Sequence, residues 1–150
     1  MLKSYPKLNF PPIKLKVQQL PTSKTPYAWS QLRGSYVALT PEEWVRRHLV
    51  EYLIAECGAV SLQMVEEYPV NLNGQPQRAD IVVIDNQGNP LILAECKAPN
   101  IKLSNDTLAQ AVRYNSVLKA RYIILTNGLK HMCLESVEGK YIPLNSFPKL

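Results

Sequence analysis

The chain is poor in the residues that build disulfide frameworks and histidine sites. Its three cysteines, Cys57, Cys96 and Cys133, are odd in number, widely spaced and without a Cys-x-x-Cys pair, which argues against a disulfide scaffold and against a thiolate zinc site. Each reads as a small buried hydrophobe. Only two histidines occur, His48 and His131, so histidine-based metal or nucleophile chemistry has little to work with, and both read as packing residues. No apolar run approaches the roughly 18 residues of a membrane span, and the opening "MLKSYPKLNF" lacks the continuous apolar stretch of a signal peptide. A cytoplasmic protein without membrane contact is expected. There is no Gly-x-x-x-x-Gly-Lys-Ser/Thr loop, so these residues are expected to carry no ATP-driven motor. No repeat, low-complexity tract or dividing linker occurs, and 150 residues at 46% hydrophobic content suffice for one compact domain.

Charge is unevenly spread. Residues 1–50 carry eight Lys/Arg against two acids, residues 51–100 two against seven, and residues 101–150 seven against three. An acidic middle between basic flanks suits a cation-binding site inside a surface that attracts a polyanion. The same balance also fits a mildly basic protein with a solvated surface.

Residues 1–35 are rich in Pro and Lys, hold no acid and show only a short strand-like alternation in "IKLKVQQL". They read as a basic arm lying along a nucleic acid or partner, or as an extended edge piece of the same domain. Residues 36–150 form its body. Within it, "TPEE" starts a helix, with Thr40 as N-cap, Pro41 in the first turn and Glu43 reaching back as a capping box. Trp44, Val45, His48, Leu49, Tyr52 and Leu53 then recur at helical spacing up to Gly58. The runs 64–72, 79–85 and 90–97 read as a meander of strands. Ser104 caps a second helix carrying Leu108, Ala111, Val112, Asn115 and Leu118 on one face, and "RYIILTNG", "KHMCLES" and "KYIPL" return as strands.

The run "LILAECKAPN" sets Glu95 and Lys97 at the end of an apolar strand. Pairing it with "ADIVVID" through the Asn86–Asn89 turn places Asp80 directly across from Glu95, two carboxylates about 5 Å apart. Strand periodicity puts Asp80, Val82 and Ile84 on one face with Leu93, Glu95 and Lys97. Opposed like charges are unfavourable unless something positive lies between them. A magnesium ion fits, with manganese as substitute, held by both carboxylates, the backbone carbonyl of Cys96 and oxygens of water or phosphate. Lys97 then holds the attacking water. Glu138-Gly139-Lys140 repeats the Glu-x-Lys spacing at a glycine turn without a paired Asp, and carries no such reading.

"RADIVVID…LILAECK" resembles the core of the PD-(D/E)XK nuclease superfamily. The wider run from "YVALTPEEWVRRHLVEYL" to "ARYIILTNGLKH" resembles the amino-terminal nuclease domain of type I restriction enzyme R subunits, over roughly residues 36–135. The resemblance implies a restriction-endonuclease-like α/β core, a central mixed sheet flanked by helices. It implies Asp80 and Glu95 as metal ligands, Lys97 as catalytic lysine and Glu51 as the helical acid near the metal, through water. It also implies Gln110 and Tyr114 as a Gln-x-x-x-Tyr pair that positions the site and DNA. On the residues alone, Glu51 points either to a metal or to solvent, and Gln110 and Tyr114 read equally as a packed Tyr with a polar cover.

The expected function is magnesium-dependent hydrolysis of phosphodiester bonds in DNA. Arg78, Lys14, Lys16, Lys24, Arg33, Arg113, Lys119 and Arg121 are candidate backbone contacts, and the partners implied are DNA and a second copy or restriction-type subunits. The alternatives are a binding or assembly domain that keeps the nuclease fold without its own cleavage, and action on RNA.

Overall fold

The structure, a computed structural model, describes Leu2 and residues 4–150. Among the described residues the body begins with helix α1 (Pro41–Cys57), followed by strands β4 (Met64–Leu72), β5 (Gln75–Ile84) and β6 (Pro90–Cys96). Helix α2 (Asn105–Leu118) then leads to β7 (Tyr122–Thr126), β8 (His131–Val137) and β9 (Lys140–Leu144). The six strands form one sheet in sequence order. Only the β6–β7 pairing is parallel, because α2 carries the chain back across the sheet between them.

The two helices cover opposite faces, as the alternation along the central strands requires. Val45, Leu49 and Leu53 of α1 pack with Ile81, Val83, Ile92, Ala94 and Ile124. Tyr114 and Leu118 of α2 pack with Val82 and Leu93, and Ala111 with Ile123 and Leu125. All three cysteines are buried free thiols. His48 and His131 stack around Phe10, as packing residues do. None of the helices among the described residues is long and apolar enough to cross a membrane.

Both helices start where the capping residues place them. Ser104 accepts from the Thr107 N–H, and Thr40 from the Glu43 N–H, while Gly58 closes α1 at φ 85°. The capping box is only half formed. The Glu43 carboxylate turns inward to Arg46 and Arg47, since two buried guanidiniums outbid one exposed N–H for a carboxylate. The Thr40 N–H bonds instead to Ala38.

The described residues ahead of α1 are packed on the body as an edge piece. They build a second, three-stranded antiparallel sheet of β1 (Val17–Gln18), β2 (Tyr27–Ser30) and β3 (Ser35–Ala38). Ala28 and Leu39 are fully buried. Ser30 Oγ donates to the buried Glu66 carboxylate at 2.8 Å, and Arg33 bridges Glu66 and Glu67 at 3.3 and 2.9 Å.

Candidate active site

The β5–β6 register is the one expected from the sequence: Ile81 faces Ala94, Val82 faces Leu93 and Val83 faces Ile92, with a shift only next to the turn. That pairing stops at Ile81, whereas β5 stays paired with β4 as far as Gln75. The β4–β5 hairpin therefore leaves β6, and Asp80 and Glu95 stand at the fork. Asp80 Oδ2 accepts from the Cys96 N–H at 2.7 Å, taking a place that a strand carbonyl would fill. The Asp80 N–H in turn points at Glu95 Oε2, 3.4 Å away.

Simple alternation does not aim Asp80. Ala79 and Val82 both pack on the α2 side while Ile81 packs on the α1 side, so the pleat changes phase at Asp80. The adjacent strand changes phase beside it. Glu66 pairs with Arg47 of α1, whereas Tyr68 and Val70 pack toward α2. Between them Glu67 adopts φ 55°, opposite Asp80 at the one rung missing from the β4–β5 ladder. A left-handed non-glycine residue is uncommon, and here its carboxylate is held by Arg46 at 2.8 Å and Arg33 at 2.9 Å.

Arg46 and Arg47 are nearly fully buried on α1 and share Glu43, at 2.9 and 2.7 Å. Arg47 also pairs with Glu66. Arg46 reaches the site itself, with Nη1 3.4 Å from the Asp80 carbonyl and 3.9 Å from its carboxylate. Burial opposes the Arg46 charge, but Glu43, Asp80 and Glu67 outweigh it and raise its pKa. Burial instead lowers that of Arg47, which Glu43 only partly counters.

Glu95 is the electrostatic centre of the site. It is 8% exposed, and its Oε1 is buried without a hydrogen-bond partner among the described residues. Burial, then the neighbouring Asp80 charge, push its carboxyl far above the ordinary range, against a smaller lowering by Lys97. In the metal-free site burial and the Asp80 charge thus favour the neutral form of Glu95. Lys97, half-buried, continues the ladder through its N–H to the Thr126 carbonyl at 2.8 Å.

From the α2 side, Gln110 donates to the Tyr114 hydroxyl at 3.1 Å, and that hydroxyl lies 3.4 Å from Gln77 Oε1 on the departing arm of β5. Burial, followed by the Glu95 charge, raises the Tyr114 pKa. Gln110 and Tyr114 therefore reach the fork. Glu51 does not. It lines a groove with Pro11, Lys14, His48 and Tyr52, on the other side of α1. The α1 carboxylate facing the fork is Glu42, whose pKa is raised by burial and then by Asp80, with Lys97 and Arg46 acting in the opposite sense. Nine residues separate Glu42 from Glu51, two and a half helical turns at 3.6 residues each. Its only sequence signal was the i, i+4 spacing of Glu42 and Arg46, which forms no ion pair here, since Arg46 turns to Glu43, Glu67 and Asp80.

Of the expected phosphate contacts, Arg33 is engaged by Glu66 and Glu67, and Arg121 by Glu135 at 2.8 Å. Lys14, Lys16, Lys24, Arg78, Arg113 and Lys119 are exposed. Arg78 stands on the hairpin arm opposite Pro69.

Comparison with known proteins agrees with this architecture. Residues 41–148 match the family described as type I restriction enzyme R protein N terminus. A fragment described as an HsdR subunit of a type I restriction enzyme from Vibrio vulnificus YJ016 superposes with a TM-score of 0.58 at 21% identity. The match covers 75% of this chain and 24% of that one, and at this identity it shows the fold alone. No curated protein matches. On the strength of the family match over most of its length, the chain belongs to the type I restriction enzyme R protein N-terminal family.

Proposed function

We propose that the chain hydrolyses phosphodiester bonds in DNA at the fork between β5 and β6, in the manner of the PD-(D/E)XK nucleases, as one component of a restriction-type assembly. The observation that carries this reading is the orphaned, buried Oε1 of Glu95 beside the Asp80 carboxylate. A divalent cation between them would give Oε1 a partner and replace the proton that Glu95 holds. Among the described residues no three His, Cys, Asp or Glu side chains converge closely enough to form a full cage. That suits magnesium, which takes one or two carboxylates and completes its shell with water and substrate phosphate.

Asp80, Glu95 and the carbonyl of Cys96 would hold magnesium or manganese, which when bound polarises the scissile phosphate and makes a bound water more acidic. Lys97 orients that water by donating to its oxygen. Gln110 and Tyr114 fix the departing arm of β5 through Gln77 and keep one side of the fork closed. Glu42 lies near enough to Lys97 for their charges to couple and would draw its ammonium toward the carboxylates. Arg46 anchors Asp80 from below. The exposed Lys14, Lys24, Arg78, Arg113 and Lys119 supply phosphate contacts without sequence preference.

The test is cleavage of supercoiled, linear and single-stranded DNA with magnesium, manganese or chelator, using the native chain, Lys97→Ala and Asp80→Asn. Metal-dependent cutting should fall by about a hundredfold or more in both variants. Cutting that survives chelator or both substitutions refutes the site. Absence of cutting by a folded native chain at every metal makes it a domain that binds or assembles and depends on its partners for cleavage.

A further inference from the structure

The family match begins at residue 41, so the sheet of β1, β2 and β3 lies outside the matched residues. Its two faces differ sharply. Along β2, Ala28 and Ser30 are fully buried while Trp29 between them is 36% exposed. The strand therefore turns small residues inward and its largest side chain to water. Pairing extends this outward row across all three strands. Trp29 lies opposite Tyr36 on β3, and its N–H bonds to the Lys16 carbonyl at the start of β1. Two rungs along, on the same face, Tyr27 sits opposite Gln18 and Ala38.

The row is an ordered group. The Trp29 and Tyr36 rings meet edge to face with centroids 5.2 Å apart, and the Lys16 ammonium stands 5.5 Å from one ring and 5.9 Å from the other. Beside it runs a cleft of about 140 Å³ lined by Lys14, Lys16, Trp29, Gln31, Arg47 and Glu51. The chain before Glu42 carries six Lys/Arg and no acid. An exposed Trp29 ring beside the half-buried Tyr36, with lysine between them on an antiparallel sheet, matches a ligand that offers flat rings and phosphates together. A duplex hides its ring faces in the stack; an unpaired strand presents them.

We propose that the outward face of this sheet binds single-stranded DNA, stacking an unpaired base on Trp29 and Tyr36 while Lys14 and Lys16 engage the flanking phosphates. The platform is fixed relative to the fork: Ser30 and Arg33 of the same sheet hold Glu66 and Glu67, and Glu67 holds Arg46 beside Asp80. That the strand is DNA rests on the proposed function, whereas the stacking does not.

The experiment measures binding of the native chain, in chelator so that cleavage plays no part, to a twelve-nucleotide oligodeoxythymidylate, an abasic strand with the same phosphates, and a duplex of equal length. Oligothymidylate should quench tryptophan fluorescence, and Trp29→Ala should weaken its binding about tenfold, as loss of a stacked base does. Lys16→Ala should weaken it less and flatten the salt dependence. The abasic strand should bind weakly and equally to native chain and Trp29→Ala. Equal affinity of native chain and Trp29→Ala for oligothymidylate, or equal affinity of abasic and thymidylate strands, overturns the proposal. A chain that stacks the strand but never cuts DNA refutes the cleavage reading alone.

Discussion

Replacing Glu95 by glutamine should stabilise the metal-free chain while abolishing cleavage. Glu95 is 8% exposed, and burial with the Asp80 charge pushes its carboxyl from the ordinary 4.5 up to about 10. Below pH 4.5 the native and unfolded states both hold the proton, and this group leaves stability unchanged. Between 4.5 and the raised native value, the native state holds a proton that the unfolded chain has released. Stability therefore falls as pH rises, by about 1.4 kcal/mol per pH unit. At pH 7 the loss amounts to about 3 kcal/mol. Glutamine is neutral at every pH and removes it. Its carbonyl can still face the Asp80 N–H, and its amide can donate to the Asp80 carboxylate. For a domain of this size the gain corresponds to roughly 6–12 °C in Tm. Urea unfolding in chelator from pH 5 to 8 should show the two proteins nearly equal at pH 5 and diverging upward. Glu42 is also raised, by burial first, but it is present in both proteins and cancels in their difference. Magnesium should then stabilise the native chain with release of about one proton, and leave the variant unchanged. A difference that does not vary with pH, or a glutamine variant less stable at pH 7, refutes the account of Glu95.

Two further outcomes test the scaffold around the fork. Glu66→Ala leaves the 4%-exposed Arg47 side chain with Glu43 alone and should cost about 3–5 kcal/mol in urea unfolding, whereas Arg33→Ala, at a side chain 27% exposed, should cost less than about 1 kcal/mol; equal costs would remove the claim that the buried pairs carry the load. Gly128 sits at φ +85°, where an added Cβ would stand 2.7 Å from Leu8 Cδ2. Gly128→Ala should therefore destabilise by more than about 1 kcal/mol and expose residues near Lys7 and Lys14 to trypsin, and unchanged resistance to the protease would contradict that docking.

The helices and the β5–β6 register were legible because their determinants are local. Thr40 and Ser104 cap, Gly58 closes α1, and apolar runs at periods of 2 and 3.6 set the strands and the helix faces. The small sheet lacked that signal. Its strands have two to four residues, and the inward side of β2 is Ala28 and Ser30, which hydropathy does not distinguish from a loop. Its aromatic row exists only across strands, where sequence spacing carries no information. Glu51 came from the family resemblance, the residues alone leaving it open between metal and solvent, and Glu42 went unread for a related reason. The apolar stripe of α1 identifies its core face, but the face toward the fork is built from buried Glu43, Arg46 and Arg47, charges that a hydrophobic pattern reads as solvent.

Those buried charges explain how a strand can deliver a carboxylate into a fork at all. An unbroken pleat would send Asp80 onto the α2 face with Val82 and leave the Cys96 N–H without the oxygen it now bonds. The break demands that β4 change phase at the same rung, and Glu67 does so at φ 55°, a conformation costing on the order of 1–3 kcal/mol. Arg46 and Arg33 hold the Glu67 carboxylate in that turn. Arg46 lies on the helix and Arg33 in the turn between β2 and β3, so both elements bear on the geometry of Asp80. The ion pairs of Arg46 thus do more than join α1 to the sheet: with Arg33 they maintain the local distortion that aims Asp80 at the fork.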